Sequence, residues 1–330
     1  MKRLLPAVLL LALTAVSCTN DLYPVSTGEK VGYINSRGET VLDAVYDKGD
    51  SFSEGFALVS IEDSLYFIDT EGEILDTQNF DSASPFSEGL ALVVRDGRVG
   101  YINKKGETVI PSVYLRGGNF SDGLCPVYFE DKKTYLINKK GDHLKELPYE
   151  YMGDFNDGLA LVIQDGKSGF INKKGDLIIP CEYEFAGDFS EGLALVVHKG
   201  LGGYIDRKGR LIIPHKFGYS SSLKEGLILV VENGKAGFIN KKGETVIDAV
   251  YSFAGDFSQG FSRVQIDGKM GFIDTKGELM IDRIYDYGED FKGELALMVK
   301  DNLLVYVNQN GEEVWIADPP VEDTEEEKKE

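Results

Sequence analysis

The sequence predicts an all-β protein built from tandem repeats, and two observations carry this prediction. First, a GYIN-like tetrad recurs nine times, with successive starts separated by 34 residues or, once, by 35. Second, the fourth position of every tetrad is Asn or Asp, and a glycine follows three residues later. So regular a period is typical of a repeat architecture. The tetrads start at Gly32, Tyr66, Gly100, Tyr135, Gly169, Gly203, Gly237, Gly271 and Val305.

One copy of the repeat shows the predicted unit. Residues 90–94 (LALVV) are a β-type run, Asp96-Gly97 is a hairpin turn signal, and residues 99–102 and 107–110 predict two further strands. Between these two strands, Asn103 suits the first position of a type I turn and Gly106 the left-handed position that follows. We therefore expect each 34-residue unit to be a three-stranded antiparallel β-meander. A loop with one aromatic residue would lead to the next unit: Tyr46, Phe80, Tyr114, Tyr183, Phe217, Tyr251 and Tyr285.

The faces of the strands indicate how the units stack. Both faces of the run 90–94 are apolar, so each small sheet needs cover on both sides, and neighbouring units supply it. Nine units exceed the four to eight blades typical of a closed propeller. We therefore expect an open, curved or superhelical array, with a closed propeller-like ring as the alternative.

The two ends of the chain differ from the repeats. Lys2 and Arg3 precede an apolar run of 13 residues that ends in small residues and Cys18. This pattern resembles a bacterial lipoprotein signal, which predicts a signal peptide at 1–17, lipidation of Cys18 and a tether at 18–20; an ordinary secretory peptide is the alternative. The repeats would then occupy 21–316, and the acidic tail at 317–330 is expected to be disordered.

The charge of the chain excludes one class of partner. With Lys2 and Arg3 removed together with the signal, 33 basic and 55 acidic residues remain, a formal charge of −22. Such a chain repels phosphate backbones, so we expect no nucleic-acid partner.

The repeat resembles a known family. The stretch EGLALVVRDGRVGYINKKGETVIP, followed by Tyr and an FSEG-like motif, is similar to the unit of the bacterial WG-repeat (KWG) proteins. The likeness covers residues 21–316, but the Trp that names the family is replaced in every unit. Its position holds Val31, Leu65, Val99, Thr134, Ser168, Gly202, Ala236, Met270 and Leu304. The resemblance implies an exported repeat protein with a non-catalytic role.

No residue set recommends itself for catalysis, a metal or a cofactor. The Gly166-Lys167 pair lacks the upstream glycine of a phosphate-binding loop, because Leu161 stands there. His143, His198 and His215 occupy unrelated repeat positions, and Cys125 and Cys181 are expected to be small buried residues rather than a disulfide. We therefore expect no catalytic residue, no metal site and no cofactor.

The hairpin tips carry a recurring basic pair. Stacked repeats would place these side chains in one basic stripe, beside a separate acidic line from the FSEG-like motifs. This stripe is a candidate surface for a partner or an anionic envelope; the alternative is that the lysines only keep exposed turns soluble. The candidate residues are Lys104, Lys105, Lys139, Lys140, Lys173, Lys174, Arg207, Lys208, Lys241 and Lys242.

These observations predict a non-catalytic lipoprotein of the bacterial cell envelope. Thr19 after Cys18 favours the outer membrane, by resemblance to known lipoproteins. We expect the extended repeat surface to bind a protein, and a glycan less readily, because most Tyr and Phe occupy positions expected to be core. The alternatives are a propeller-type carbohydrate-active enzyme, which would have a deep axial pocket lined by carboxylates that depart from the repeat, and a purely structural envelope component.

Overall fold

The chain folds into nine small antiparallel β-sheets, which we call blades 1 to 9 in chain order. In a computed structural model, the residues that the structure describes are 21–130 and 133–318. This part is all-β, as the sequence predicts, and within it no helix is long and apolar enough to cross a bilayer. The predicted signal peptide, Cys18, the tether and residues 319–330 of the tail lie outside the described residues.

The strands of the first four blades are listed here in chain order. They are β1 (Tyr23–Thr27), β2 (Lys30–Ile34) and β3 (Thr40–Tyr46) in blade 1; β4 (Lys48–Gly49), β5 (Phe56–Ile61) and β6 (Ser64–Asp69) in blade 2; β7 (Ser82–Ala83), β8 (Leu90–Arg95), β9 (Arg98–Asn103) and β10 (Thr108–Tyr114) in blade 3; and β11 (Arg116–Gly117), β12 (Leu124–Tyr128), β13 (Thr134–Asn138) and β14 (His143–Leu147) in blade 4.

The strands of the other five blades follow the same order. They are β15 (Tyr151–Asn156), β16 (Leu159–Gln164), β17 (Lys167–Asn172) and β18 (Leu177–Tyr183) in blade 5; β19 (Phe185–Ala186), β20 (Leu193–His198), β21 (Leu201–Asp206) and β22 (Leu211–Phe217) in blade 6; β23 (Leu227–Glu232), β24 (Lys235–Asn240) and β25 (Thr245–Tyr251) in blade 7; β26 (Phe253–Ala254), β27 (Phe261–Ile266), β28 (Lys269–Asp274) and β29 (Leu279–Tyr285) in blade 8; and β30 (Tyr287–Gly288), β31 (Leu295–Lys300), β32 (Leu303–Asn308) and β33 (Glu313–Ile316) in blade 9.

The predicted three-stranded meander is present in every blade except blade 2, where only a bridge between Ile68 and Ile74 stands in place of the third long strand, and it has one addition. In six blades a further strand precedes the meander and pairs with its first long strand, which gives a four-stranded sheet in sequential order; it has two residues in five of these blades and six in blade 5. In blade 3, for example, β7 pairs with β8 through Ser82 opposite Val94 and Ala83 opposite Val93. Two residues are too few for a periodic hydrophobic signal, so the sequence pattern did not reveal the two-residue strands.

The predicted turns are confirmed. Asp96 and Gly97 both have positive φ angles, 50° and 69°, as a type I′ hairpin turn requires. At the next turn the Asn103 side-chain oxygen accepts bonds from the amides of Lys105 (2.9 Å) and Glu107 (3.1 Å), and Gly106 has φ +79°. We call this second turn, Asn103–Gly106 and its equivalents, the tip turn.

The aromatic residues expected in loops have a different place. Tyr114 ends the outer strand β10, opposite Val99, and is 3% exposed. Its equivalents Tyr46, Phe217, Tyr251 and Tyr285 are also buried at strand ends. The outer strand is therefore longer than predicted, because the aromatic ring is part of the core between blades.

The nine blades close into a ring, so the expectation of an open array was wrong and the alternative is confirmed. Tyr306 of blade 9 donates a hydrogen bond to the Pro24 carbonyl of blade 1 (2.9 Å), and the amide of Glu294 donates to the Tyr23 hydroxyl (2.9 Å). Tyr23, Val25, Ile34, Leu295 and Tyr306 form a core across this seam. Closure buries the two apolar faces that an open array would leave without cover.

The tip-turn glycines have a second role in this ring. A methyl group on Gly106 would overlap the Asp76 carbonyl of the preceding blade, and one on Gly38 would overlap the Val314 carbonyl of blade 9. Each tip turn therefore lies directly against the preceding blade, and Gly38 repeats this contact at the seam. At these two positions the glycine serves both the turn geometry and the close approach of two backbones.

Candidate functional site

Each FSEG-like motif forms a two-residue hairpin turn that links neighbouring blades; we call it the FSEG turn. In blade 3, Ser87 donates to the Phe120 carbonyl of blade 4 (2.9 Å). Glu88 has φ +51° and accepts a hydrogen bond from the amide of Gly123 of blade 4 (2.9 Å). Glutamate seldom adopts a positive φ, so the contact with the next blade explains a conformation that costs free energy.

The first basic residue of most tip pairs contacts the acid in the FSEG turn of the preceding blade. Four such ion pairs join successive blades: Lys104–Glu54 (3.0 Å), Lys139–Glu88 (3.0 Å), Lys173–Asp122 (3.1 Å) and Lys241–Glu191 (3.2 Å). Arg207 instead donates to the Asp157 carbonyl (3.1 Å). The predicted basic and acidic lines therefore lie side by side and partly neutralise each other.

The ion pairs change the acidity of the turn carboxylates. Burial acts to raise the pKa of Glu88, but the hydrogen bonds from Lys139 and the Gly123 amide outweigh it, and the pKa is lowered overall. Glu54 shows the same balance between burial and the bonds from Lys104 and Gly89, with its pKa again lowered. Both carboxylates are therefore charged at neutral pH.

The second basic residue of each tip pair remains exposed. Within the described part of the chain, no carboxylate lies within ion-pair distance of these side chains: Lys105, Lys140, Lys174, Lys208 and Lys242. Leu90 pairs with Asn103, so the FSEG turn and the tip turn occupy the same end of the blade. We call the ring face that carries both turns the tip face.

The inner ends of the blades border a shared central space. A cavity of about 890 Å³ is lined by residues of four successive blades, from Ser84 in blade 3 to Asp188 in blade 6. A second, of about 230 Å³, is lined by residues of blades 9, 1 and 2. Only the inner ends of blades in a ring can border one concavity in this way. The short first strands and the residues after them therefore line the centre.

Five successive blades expose an aromatic side chain at this centre. The first residue of the short strand, or its equivalent in blade 7, is aromatic in blades 5 to 9 and between 39% and 59% exposed: Tyr151, Phe185, Tyr219, Phe253 and Tyr287. In blades 2 to 4 the same position holds Lys48, Ser82 and Arg116. Phe185 pairs with Val197 near the far end of β20, so these aromatic residues lie toward the face opposite the tip face.

Carboxylates accompany the aromatic residues, three positions later in the chain. They are Asp154, Asp188, Asp256 and Asp290, and Ser222 takes the position in blade 7. Burial, with a smaller contribution from the Asp188 charge, raises the pKa of Asp154. Burial also raises the pKa of Asp188, although the Lys224 charge opposes it. We call these four acids and the five exposed aromatic residues the central arc.

The sequence pattern contains the central arc, although the repeat predicts most aromatic residues to be core. The signal was the segment before each FSEG-like motif, which reads YMGD, FAGD, YSSS, FAGD and YGED in blades 5 to 9. Buried aromatic residues lie close to them in the chain, as Phe189 lies close to Phe185. Which of the aromatic side chains face the central space depends on how the blades are arranged in the closed ring. Exposure of five aromatic side chains removes the argument that disfavoured glycan binding.

The remaining candidate residues are the histidines and cysteines. The rings of His198 and His215 are 5.7 Å apart, an approach the sequence did not predict, yet the described residues contain no group of three or more metal-binding side chains. Cys125 and Cys181 are free thiols; Cys125 is buried, as expected, whereas Cys181 is only partly buried.

Comparison with known families agrees with the repeat pattern. The model of the WG containing repeat matches eight segments of the chain: 32–64, 67–98, 100–132, 136–167, 169–201, 203–235, 237–269 and 270–303. The chain belongs to the WG-repeat family. The position of the naming Trp lies in the second long strand of the blades, where Val99, Thr134 and Ser168 are buried. Smaller side chains therefore fill the indole position in this member of the family.

Solved structures resemble the ring at low identity. The crystal structure described as that of the eukaryotic initiation factor has a TM-score of 0.64 and 11% identity, covering 90% of this chain and 95% of that one. BamB from Moraxella catarrhalis has a TM-score of 0.47 and 13% identity, covering 88% and 98%. Such identities concern the fold alone. No curated protein matches the chain.

Proposed function

We propose that this WG-repeat protein is a non-catalytic lipoprotein of the bacterial cell envelope that binds a protein partner at its central arc. The observation that carries the proposal is the run of exposed aromatic residues beside carboxylates in successive blades. Aromatic anchors with polar neighbours in a concave site are typical of binding surfaces. Membrane attachment through Cys18, at the outer membrane, is part of the proposal and is supported by the apolar run and small residues that precede it.

A non-catalytic role is favoured by the repetition of the acids. Asp154 and Asp188 occupy equivalent positions in neighbouring blades, whereas an active site needs a unique set of different groups. A carbohydrate-active enzyme remains the rival, since two acids with raised pKa values line one cavity. Hydrolysis of envelope glycans by the purified protein, abolished in Asp154→Asn, would support that rival.

Glycan binding is a second candidate, and the exposed aromatic residues favour it. Sugar rings stack on flat aromatic side chains, and carboxylates accept hydrogen bonds from hydroxyl groups. A protein partner and a glycan would both contact Tyr151 and Phe185, so the partner class needs a direct experiment.

Photo-crosslinking in cells tests the proposal. A photoreactive phenylalanine analogue replaces Phe185, which is 54% exposed, and in a control strain replaces Val250 of the outer strand β25, which is 52% exposed. We expect a reproducible protein adduct from position 185 and none from position 250. Equal adducts from both positions, or none from either, would contradict binding at the central arc.

The exposed tip lysines offer a separate contact with an anionic envelope surface. The first residue of most pairs is engaged by an FSEG turn, so this contact would rest on the second residues, such as Lys105, Lys140 and Lys174. Neutralising these three to Gln should weaken envelope association at low salt. Unchanged association would leave the lysines with the simpler role of keeping the turns soluble.

A further inference from the structure

Blade 8 contains an arginine that occupies the space between an aromatic residue and a carboxylate of the central arc. The Arg263 guanidinium carbon lies 5.5 Å from the centre of the Phe253 ring. Its Nε donates to Asp290 Oδ1 of blade 9 (2.6 Å), and its Nη1 donates to the Gly288 carbonyl. The side chain of Arg263 is only 14% exposed. Blade 8 thus shows how one position of the central arc holds a cation.

The other blades lack this arginine. Its position in the first long strand holds leucine or proline elsewhere: Pro24, Leu58, Leu92, Pro126, Leu161, Leu195, Leu229 and Leu297. In blade 5 the aromatic residue and the carboxylate are both kept, as Tyr151 and Asp188. Only the cation between them is missing.

The surroundings of two equivalent glycines show that the geometry is shared. A methyl group on Gly255 would lie 2.8 Å from Asp290 Oδ1 and 3.2 Å from Arg263 Nε. A methyl group on Gly153 would lie 3.6 Å from Asp188 Oδ1, 3.7 Å from Leu161 Cβ and 3.7 Å from Tyr151 Cε1. Blade 5 therefore repeats the site of blade 8 with a short aliphatic side chain in place of the guanidinium.

The blade 5 position also opens into the largest of the central cavities described above. Tyr151, Asp154 and Asp188 line the cavity of about 890 Å³. Within the described residues, no Lys or Arg nitrogen lies within ion-pair distance of either aspartate. The cavity also contains Arg116 and Glu150, and the Lys224 charge acts on Asp188 from outside it. Its lining acids outnumber its lining base by three to one.

We propose that this site, bounded by Tyr151, Asp154 and Asp188, binds an arginine or lysine side chain of the protein partner. The ligand cation would occupy the space that Arg263 fills in blade 8, against the aromatic ring and the carboxylate of the next blade. The inference rests on the proposed function, because it names the chemistry that the central arc recognises.

A cation fits this site better than a neutral sugar does. Two carboxylates that line one cavity without an ion-pair partner repel each other, and a bound cation removes that repulsion while it stacks on the tyrosine ring. Sugar hydroxyl groups would satisfy the oxygen atoms but leave both charges in place. Burial raises the pKa values of both Asp154 and Asp188, and the Asp188 charge adds to the effect at Asp154.

The first test fills the site from within. Leu161→Arg in blade 5 should reproduce the blade 8 arrangement, so its Tm should equal or exceed that of the native protein. Leu195→Arg is the matched control, because blade 6 has the aromatic Phe185 but Ser222 in place of the acid. Its Tm should fall by several degrees, since the new cation has no carboxylate partner. Equal losses of Tm in both variants would overturn the proposal.

The second test measures binding directly. The probe is a fluorescein-labelled Gly-Ser peptide with three arginines, compared with the same peptide carrying neutral citrulline, at constant physiological salt. We expect Asp188→Asn and Leu161→Arg each to weaken arginine-peptide binding about tenfold or more. Asp248→Asn, which removes the same charge from the exposed outer strand β25, should change it less than about twofold.

The outcomes separate the inference from the proposed function. Equal binding of the arginine and citrulline peptides, or equal losses in Asp188→Asn and Asp248→Asn, would overturn recognition of a basic side chain. If adducts from position 185 persist unchanged in the Leu161→Arg background while the peptide fails to bind, the arc binds a partner by other contacts. Absence of adducts together with selective arginine-peptide binding would instead contradict the proposed cellular partner.

Discussion

Replacing Gly106 by alanine should push the tip turn of blade 3 away from blade 2 and lower the free energy of unfolding. The size of this loss follows from the structure. Gly106 has φ +79°, and an added methyl carbon would lie 2.9 Å from the Asp76 carbonyl carbon and closer still to its oxygen. Carbon atoms pack at about 3.5 Å or more, so the tip turn would have to withdraw by at least about 0.6 Å. We expect the left-handed conformation to cost about 1–2 kcal/mol and the overlap about 1–3 kcal/mol more.

Gly123→Ala is the matched control for this prediction. Gly123 has φ +78°, and a methyl group there would meet no atom within 4 Å. It therefore carries the conformational cost alone. Urea denaturation followed by circular dichroism measures both variants, and we expect Gly106→Ala to lose about 1–3 kcal/mol more free energy of unfolding than Gly123→Ala. Equal losses would refute the close approach of the tip turn to the preceding blade.

Three further predictions concern charge and reactivity. The pKa of Glu88 is lowered in the fold, so its contribution to stability is complete above the ordinary value of 4.5 and is lost as the pH falls through the lowered pKa. Glu88→Gln should therefore reduce the free energy of unfolding by about 0.5–1 kcal/mol at pH 7, and this difference should shrink below pH 4.5. Because the pKa of Asp154 is raised, its charge opposes folding at neutral pH, and protonation removes this destabilisation as the pH falls. Asp154→Asn should therefore raise Tm at pH 7, with a gain that diminishes toward acidic pH. A lower Tm would contradict this. Burial raises the pKa of Cys125 to about 12, so a thiol reagent at pH 8 should modify the partly exposed Cys181 first and Cys125 only upon unfolding.

The repeat unit could be predicted because its determinants are local. Asn103 and Gly106 define a turn through hydrogen bonds and a positive φ within four residues, and Asp96-Gly97 does the same for the preceding hairpin. The alternating apolar residues of 90–94 define a sheet that is buried on both faces. Each of these features can be read from one copy.

The candidate site was only partly predictable, because it depends on neighbours far apart in the chain. Lys139 looked like an exposed tip residue, and its partner Glu88 belongs to the preceding blade, 51 residues away. Tyr151 looked like one more core aromatic residue, although it faces the central space. Such contacts depend on how one blade is rotated against the next, which no pattern within a repeat records.

The sequence by itself determined the strands, the turns, the repeat length and the membership of the WG-repeat family. Only the tertiary structure decided that nine blades close, that basic and acidic lines pair, and that aromatic residues and carboxylates meet around one centre. The reason is that strand and turn preferences act over a few residues, whereas closure sums a small rotation over nine blades. Tyr306 reaches Pro24 only when that sum completes a full turn.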